Sequence, residues 1–188
     1  MRIVGGNLRG LKLAEVGDGD AVAHLRPTTD RVREAIFNLL INGVHDNPLP
    51  GARVLDLFAG TGAMGLEAYS RGAARVAFVD DGVKSRALLR TNIEKARAMG
   101  ISDVWRRDAT KLGENREPGY DVIFLDPPYG QGLGERAIAS ALAGGWIALG
   151  ATIVWEEAQS PLVPAPLVQV DQRRYGNSLI TIARMTSA

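Results

Sequence analysis

The sequence predicts an α/β fold built on a doubly wound, mostly parallel sheet, and three observations carry that prediction. From Arg53 onward, short apolar runs of strand length alternate with longer stretches of helical character. Three of those helical stretches run into glycine, and a glycine-rich loop joins the first apolar run to the first of them. Such alternation gives parallel strands with helices on both faces, because a parallel connection needs a long crossover and a helix supplies it.

The elements follow in order. Ile3-Val4, Gly5-Gly6-Asn7 and Leu8 to Leu13 read as a short hairpin or loose strand pair, with a Gly/Asp-rich loop from Gly17 to Asp20 behind it. Arg26-Pro27-Thr28-Thr29-Asp30 reads as a helix entry: Thr and Asp cap exposed N–H groups, and Val32, Ala35, Ile36, Leu39 and Leu40 keep helical spacing up to Asn42-Gly43. Strand-like runs come at Val54 to Phe58, Val76 to Val79, Val104 to Arg107, Val122 to Leu125 and Thr152 to Trp155. Between them, Met64 to Arg71 is closed by Gly72, Val83 to Met99 by Gly100, and Gly134 to Ala143 by Gly144-Gly145, each glycine suited to the left-handed residue after a helix. Val168 to Tyr175 and Ser178 to Ala183 flank Gly176-Asn177, a hairpin signal, so the sheet is expected to finish antiparallel. No repeat or linker interrupts the chain, which divides into an N-terminal hairpin or arm over residues 1–27 and one domain over 28–188.

Composition narrows the function classes. A chain of 188 residues with 46% hydrophobic and 23% charged residues is an ordinary globular domain. No run approaches the roughly 18 apolar residues of a membrane span, and Met1-Arg2-Ile3-Val4-Gly5-Gly6 is not a signal peptide's apolar core, so a cytoplasmic protein without membrane contact is expected. Zero cysteines exclude a disulfide framework and a thiolate nucleophile, and two histidines, His24 and His45, are too few and too local for a histidine-rich metal site, so none is expected. The net charge of +1 argues, at face value, against strong nucleic-acid binding.

The loop after the first strand reads Asp56-Leu57-Phe58-Ala59-Gly60-Thr61-Gly62-Ala63-Met64-Gly65, a GxGxxG pattern between strand and helix. Glycines let the backbone approach a ligand, and the helix N-terminus offers free N–H groups. Two ligands compete for it. A dinucleotide is favoured by Asp80, which closes the next strand at about the spacing of a ribose-binding carboxylate. S-adenosylmethionine is favoured by Asp56, because it carries an ammonium and a sulfonium and no phosphate, so an acidic neighbour attracts it and would repel a pyrophosphate. Asp80 can then take the ribose hydroxyls, with Asp81 its nearest competitor, and Asp108 the adenine amine.

The fourth run ends at Asp126-Pro127-Pro128-Tyr129, a more specific signal. An exocyclic amine on a nucleobase shares its lone pair with the ring and is a poor nucleophile. Asp126 and the carbonyl of Pro127 can accept its two N–H bonds, favouring the pyramidal nitrogen that attacks a sulfonium methyl. Both prolines fix φ, so the acceptors stand in place before the substrate arrives, and Tyr129 can stack on the base. The base must leave its stack to reach them.

These residues resemble the class I S-adenosylmethionine-dependent methyltransferases and, within them, the RsmD family, which methylates guanine N2 in 16S ribosomal RNA. The likeness runs through Met1 to Gly6 with Leu8-Arg9-Gly10, Arg26 to Glu34 with Phe37-Asn38, Val54 to Ala68, and Asp126 to Tyr129. It implies a Rossmann-like, seven-stranded sheet with a reversed last strand, so that residues 28–188 form the methyltransferase domain behind a short N-terminal extension. It places the cofactor, S-adenosylmethionine, on Asp56, Gly60, Gly62, Asp80 and Asp108, with their neighbours Phe58, Ala59, Thr61 and Ala109. The catalytic motif falls on Asp126, Pro127, Pro128 and Tyr129. Arg26, Arg31 and Arg33 become candidates to hold RNA phosphates. The implied partner is ribosomal RNA, naked or within an assembling small subunit, met by a monomer. Many relatives have Glu where this chain has Asp80.

Rival readings are a DNA adenine-N6 methyltransferase, disfavoured by the lack of a further recognition region; a glutamine methyltransferase, whose relatives usually carry Asn in place of Asp126; a nicotinamide-dependent oxidoreductase; and a non-catalytic ribosome-assembly module of the same fold. Dividing the charge softens the opening objection to RNA. Residues 1–33 hold six Lys/Arg and four Asp/Glu, residues 34–162 hold 13 and 16, and residues 163–188 hold three and one. An acidic middle thus lies between basic ends, and a shallow salt dependence of RNA binding is expected.

Overall fold

Branched and aromatic residues fill the segments that become strands: β1 (Arg53–Leu57), β2 (Arg75–Val79), β3 (Ser102–Trp105), β4 (Tyr120–Leu125), β5 (Ile147–Glu157), β6 (Leu167–Tyr175) and β7 (Ser178–Met185). The computed structural model describes residues 1–15, 29–43 and 46–186. The seven strands form one sheet in the order β3-β2-β1-β4-β5-β7-β6. The first five are mutually parallel, and β7 runs antiparallel between β5 and β6. β1 and β2 are buried from their second residue on, as expected of inner parallel strands covered on both faces.

Four helices cover the sheet: α1 (Asp30–Asn42), α2 (Ala63–Ser70), α3 (Val83–Lys95) and α4 (Leu133–Ala143). Side chains alternate along each strand, so Val54, Val76, Phe78, Val122 and Phe124 meet α1, α2 and α3 on one face. Leu55, Leu57, Ala77, Val79, Ile123 and Leu125 meet α4 and a 3-10 turn, Ala109–Lys111, on the other. Thr29 caps α1 as expected, its hydroxyl accepting from Val32 N at 3.3 Å.

Two expectations need correction. The third helical stretch stops at Lys95, not Met99: Arg97 takes the left-handed conformation (φ 52°) expected of Gly100, and Ala98 N closes back on Ile93 O at 2.9 Å. Burial of Ala98 and Ile93 holds that turn despite a non-glycine residue. The fifth strand begins at Ile147 rather than Thr152, and Gly150, at φ 79°, lies within it. The loose strand pair expected in the first fifteen residues is present: an antiparallel bridge joins Arg2 to Lys12, with Ile3 N on Leu11 O at 2.9 Å and Leu13 N on Met1 O at 3.2 Å, around a 3-10 turn at Gly6–Leu8.

That arm is also built into the core. Ile3 and Leu13 are buried beside α1 and α2 residues. Glu67, inside α2, accepts from Val4 N and Gly5 N at 2.8 Å each, and Ser70 accepts from Leu8 N at 2.8 Å. Among the described residues, no helix is long and apolar enough to cross a membrane.

Candidate active site

The strand order sets where a ligand can sit. From β1 the chain moves outward to β2 and β3, then returns to add β4 on the other side of β1 and continues to β5. The crevice beyond the carboxyl ends of β1 and β4 is therefore the switch point of the sheet, where ligands of open α/β folds bind. Leu57 and Leu125 are register partners, so the glycine loop after β1 and the Asp126 motif after β4 leave the sheet side by side.

The loop is tightly folded. Phe58 holds φ 59°, a conformation that costs an L-residue energy, and Ala59 N reaches Val79 O at 3.0 Å. A Cβ on Gly65 would collide with Phe78 and Val76, so the third glycine lets α2 lie close against β2. Asn92, fully buried on α3, donates to Thr61 O at 2.9 Å and to Ala14 O at 3.0 Å, tying the loop to the arm.

The acidic strand ends differ from one another. Asp56 is buried, and its Oδ2 accepts from Gly65 N at 2.9 Å, so it caps α2, whose own N-cap residue, Gly62, has no side chain. Burial pushes its carboxyl up to about 8, partly offset by the Gly65 bond and reinforced by the charge of Asp80. A cationic group beside it would oppose that shift by favouring the charged form. Asp80 is half-buried and bridges the loop to the next turn, accepting from Gly60 N and Gly82 N at 2.8 Å each. Burial raises its pKa, the two N–H bonds oppose that, Asp81 adds to it and Arg86 opposes it. Asp81 is exposed. Asp108 caps the 3-10 turn, taking Thr110 N and Oγ1 on its Oδ1 at 2.8 and 2.7 Å, and those bonds lower its pKa. Ala109 is buried behind it.

Asp126 and Tyr129 are partly accessible at the end of β4, and Pro127 is buried between them. The Tyr129 hydroxyl donates to Glu156 Oε1 at 2.8 Å and stands 3.1 Å from Ser178 Oγ. Burial, the largest cause, raises the phenol's pKa, and the Glu156 charge adds to it. Glu157 accepts from Gly130 N at 3.3 Å. Sequence reasoning missed Glu156, Glu157, Ser178 and Asn92. Two carboxylates closing an apolar strand, the signal followed at Asp56, Asp80 and Asp126, was present at Ile153-Val154-Trp155-Glu156-Glu157.

Of the three arginines, Arg31 is exposed, and Arg26 lies outside the described residues, as do His24 and His45. Arg33 must be withdrawn as an RNA contact. Its side chain is fully buried, bonded to Asp30 at 2.8 Å and to the carbonyl of Arg2, and it lies 3.5 Å from Glu67. Its charge serves the junction of arm, α1 and α2. A cavity of about 700 Å³ lies off the crevice, between the 106–117 segment and the sheet. Of the candidate site residues only Asp108 lines it.

This sheet and its ligand crevice are those of a Rossmann-like class I methyltransferase fold. The chain belongs to the RsmD family: the family model described as conserved hypothetical protein 95 matches residues 1–184. It is 40% identical over 169 residues to ribosomal RNA small subunit methyltransferase D of Escherichia coli strain K12, covering 88% of this chain and 80% of that one. The Haemophilus influenzae protein of the same name is 36% identical over 171 residues, 87% and 82% of the two chains. Among solved structures, Escherichia coli yhhF superposes with a TM-score of 0.81 at 34% identity, over 100% of this chain and 99% of that one. TrmN of Thermus thermophilus shares the fold at a TM-score of 0.66 and 23% identity, over 82% of this chain and 48% of its own.

Proposed function

We propose that this protein transfers a methyl group from S-adenosylmethionine to the exocyclic N2 amine of a guanine in 16S ribosomal RNA. One observation carries the reading: the glycine loop and Asp126-Pro127-Pro128-Tyr129 leave neighbouring, register-paired strands at the switch point, so a methyl donor on the first lies beside an amine held by the second. The names of the relatives point to the same RNA. The division into an arm over 1–27 and a methyltransferase domain over 28–188 belongs to this proposal.

The donor set fits the cofactor. Asp80 and Asp108 stand at successive strand ends, and Asp108's bonded hydroxyl and amide both fall on Oδ1, which leaves Oδ2 to face an adenine amine. Asp80, rather than the exposed Asp81, is anchored to the loop and takes the ribose. Gly60, Thr61 and Gly62 supply backbone at close approach, with Phe58, Ala59 and Ala109 beside them. The cofactor, when bound, supplies an electrophilic methyl. The chain's own residues do the rest: Asp126 and the Pro127 carbonyl accept the amine's N–H bonds, the two prolines hold those acceptors, and Tyr129 stacks on the extruded base. Arg31, and Arg26 by sequence, are the RNA-phosphate candidates.

Calorimetric titration should give binding of S-adenosylmethionine and none of NAD; the reverse would remove the reading. Mass spectrometry of ribosomal RNA from a deletion strain should then show one N2-methylguanosine lost from the small subunit. An unchanged inventory would point to a binding module, and a lost N6-methyladenine in DNA to the other amine.

A further inference from the structure

Tyr129 extends from the tetrapeptide with 37% of its surface exposed, while its hydroxyl turns back to the sheet. There it meets two partners from distant parts of the chain. Glu156, 5% exposed near the end of β5, receives the Tyr129 O–H at 2.8 Å and the Ser178 O–H at 2.6 Å on the same Oε1. Ser178 opens β7 directly after the Gly176-Asn177 turn. One residue on, Glu157 takes Gly130 N and Ala158 N at 3.3 and 3.0 Å. Two adjacent carboxylates of β5 thus hold the far side of the motif.

Burying a carboxylate at a strand end is costly, and an apolar residue would close the sheet at least as well. What the carboxylate adds is direction. The phenol oxygen lies on the Cβ–Cγ axis, so anchoring it fixes where the ring points. Because a phenolic O–H prefers the plane of its ring, the bearing of Glu156 also sets the tilt of the face. The geometry points to Glu156 and Ser178 as positioning residues that set the Tyr129 ring, and with it the seat of the target guanine. This rests on the proposed function, in which that ring stacks on the base.

The test is a double-mutant cycle on methyl transfer to 16S ribosomal RNA in assembling small subunits. Y129F keeps the ring and loses its anchor; E156Q keeps the shape and loses the charge. Each should lower kcat roughly tenfold, the weight of one hydrogen bond to a charged group, with KM and S-adenosylmethionine affinity held. In Y129F/E156Q the loss should equal that of Y129F alone, because Glu156 acts through the phenol. S178A, at the edge of the network, should lower kcat about threefold without loss of thermal stability. Additive losses in the double variant, weakened cofactor binding in E156Q, or S178A at wild-type kcat would each overturn the inference. Wild-type protein that binds cofactor but methylates no ribosomal RNA would overturn the functional reading instead.

Discussion

The two halves of the carboxyl edge are held from different parts of the chain. After β1, β2 and β3, the contacts stay among those strands, their helices and the arm: Asp56 caps the helix that follows it, Asp80 joins Gly60 to Gly82, Asn92 ties Thr61 to Ala14, and Asp108 closes its own turn. After β4, the motif is held from outside, by Glu156, Glu157 and Ser178 on strands far along the chain. A loop held within its own half of the sheet presents the same backbone to every ligand. A motif held by distant strands can be re-aimed by changes that never touch it, and in the proposed function the target base is read on that side.

Substitutions should separate the two halves. On the motif side, Asp126→Ala should lower kcat by roughly 100- to 1,000-fold, the loss for one positioned transition-state hydrogen-bond group, while calorimetry finds cofactor affinity within about twofold. If cofactor affinity collapsed as well, the two halves would not be separable. On the loop side, Asp80→Ala removes the acceptor shared by Gly60 and Gly82 and should weaken S-adenosylmethionine binding roughly 10- to 100-fold, with a smaller effect on turnover at saturation.

Asp56 sharpens the loop side through pH. Its folded pKa is raised to about 8, against about 3.9 in the unfolded chain. Between those values the folded state holds a proton that the unfolded state has released. Its contribution to stability is therefore complete below about pH 4 and lost as pH climbs toward 8, with a limiting slope of about 1.4 kcal/mol per pH unit. Asp56→Asn keeps an acceptor for Gly65 N and should flatten that decline in denaturant melts of the ligand-free protein. A decline equally steep in the variant would assign it to other groups. The smallest effect is expected at exposed Asp81, where alanine should leave cofactor affinity within about twofold.

What could be read from the sequence was local. The strands, the glycine loop and the capped entry to α1 each announce themselves within ten residues, through alternation, turn residues and caps. The same holds for the placement of Asp80, since a carboxylate closing an apolar run must lie at a strand end. What escaped depends on contacts between distant segments. Arg33 looks like Arg31 in sequence, two basic residues in one helix entry, yet Arg33 faces Glu67, 34 residues away, and only the packing of α1 on α2 distinguishes them. Ser178 reads as the polar start of a strand until the hairpin sets it beside Tyr129, 49 positions earlier. Glycine misled in both directions: Gly100 suggested a helix end that Arg97 makes earlier, and Gly150 hid the first half of β5.

The arm at the beginning of the chain changes how the molecule would come apart. Glu67 receives two of its backbone N–H groups, and Asn92 exchanges hydrogen bonds with Ala14 while holding Thr61. Peeling the arm away would strand the buried Glu67 carboxylate beside Arg33 and slacken the glycine loop at the same time. The arm is thus part of the same cooperative unit as the cofactor crevice. In hydrogen exchange, the amides of Val4, Gly5 and Ala14 should open with the sheet, at global unfolding, and not with the chain ends.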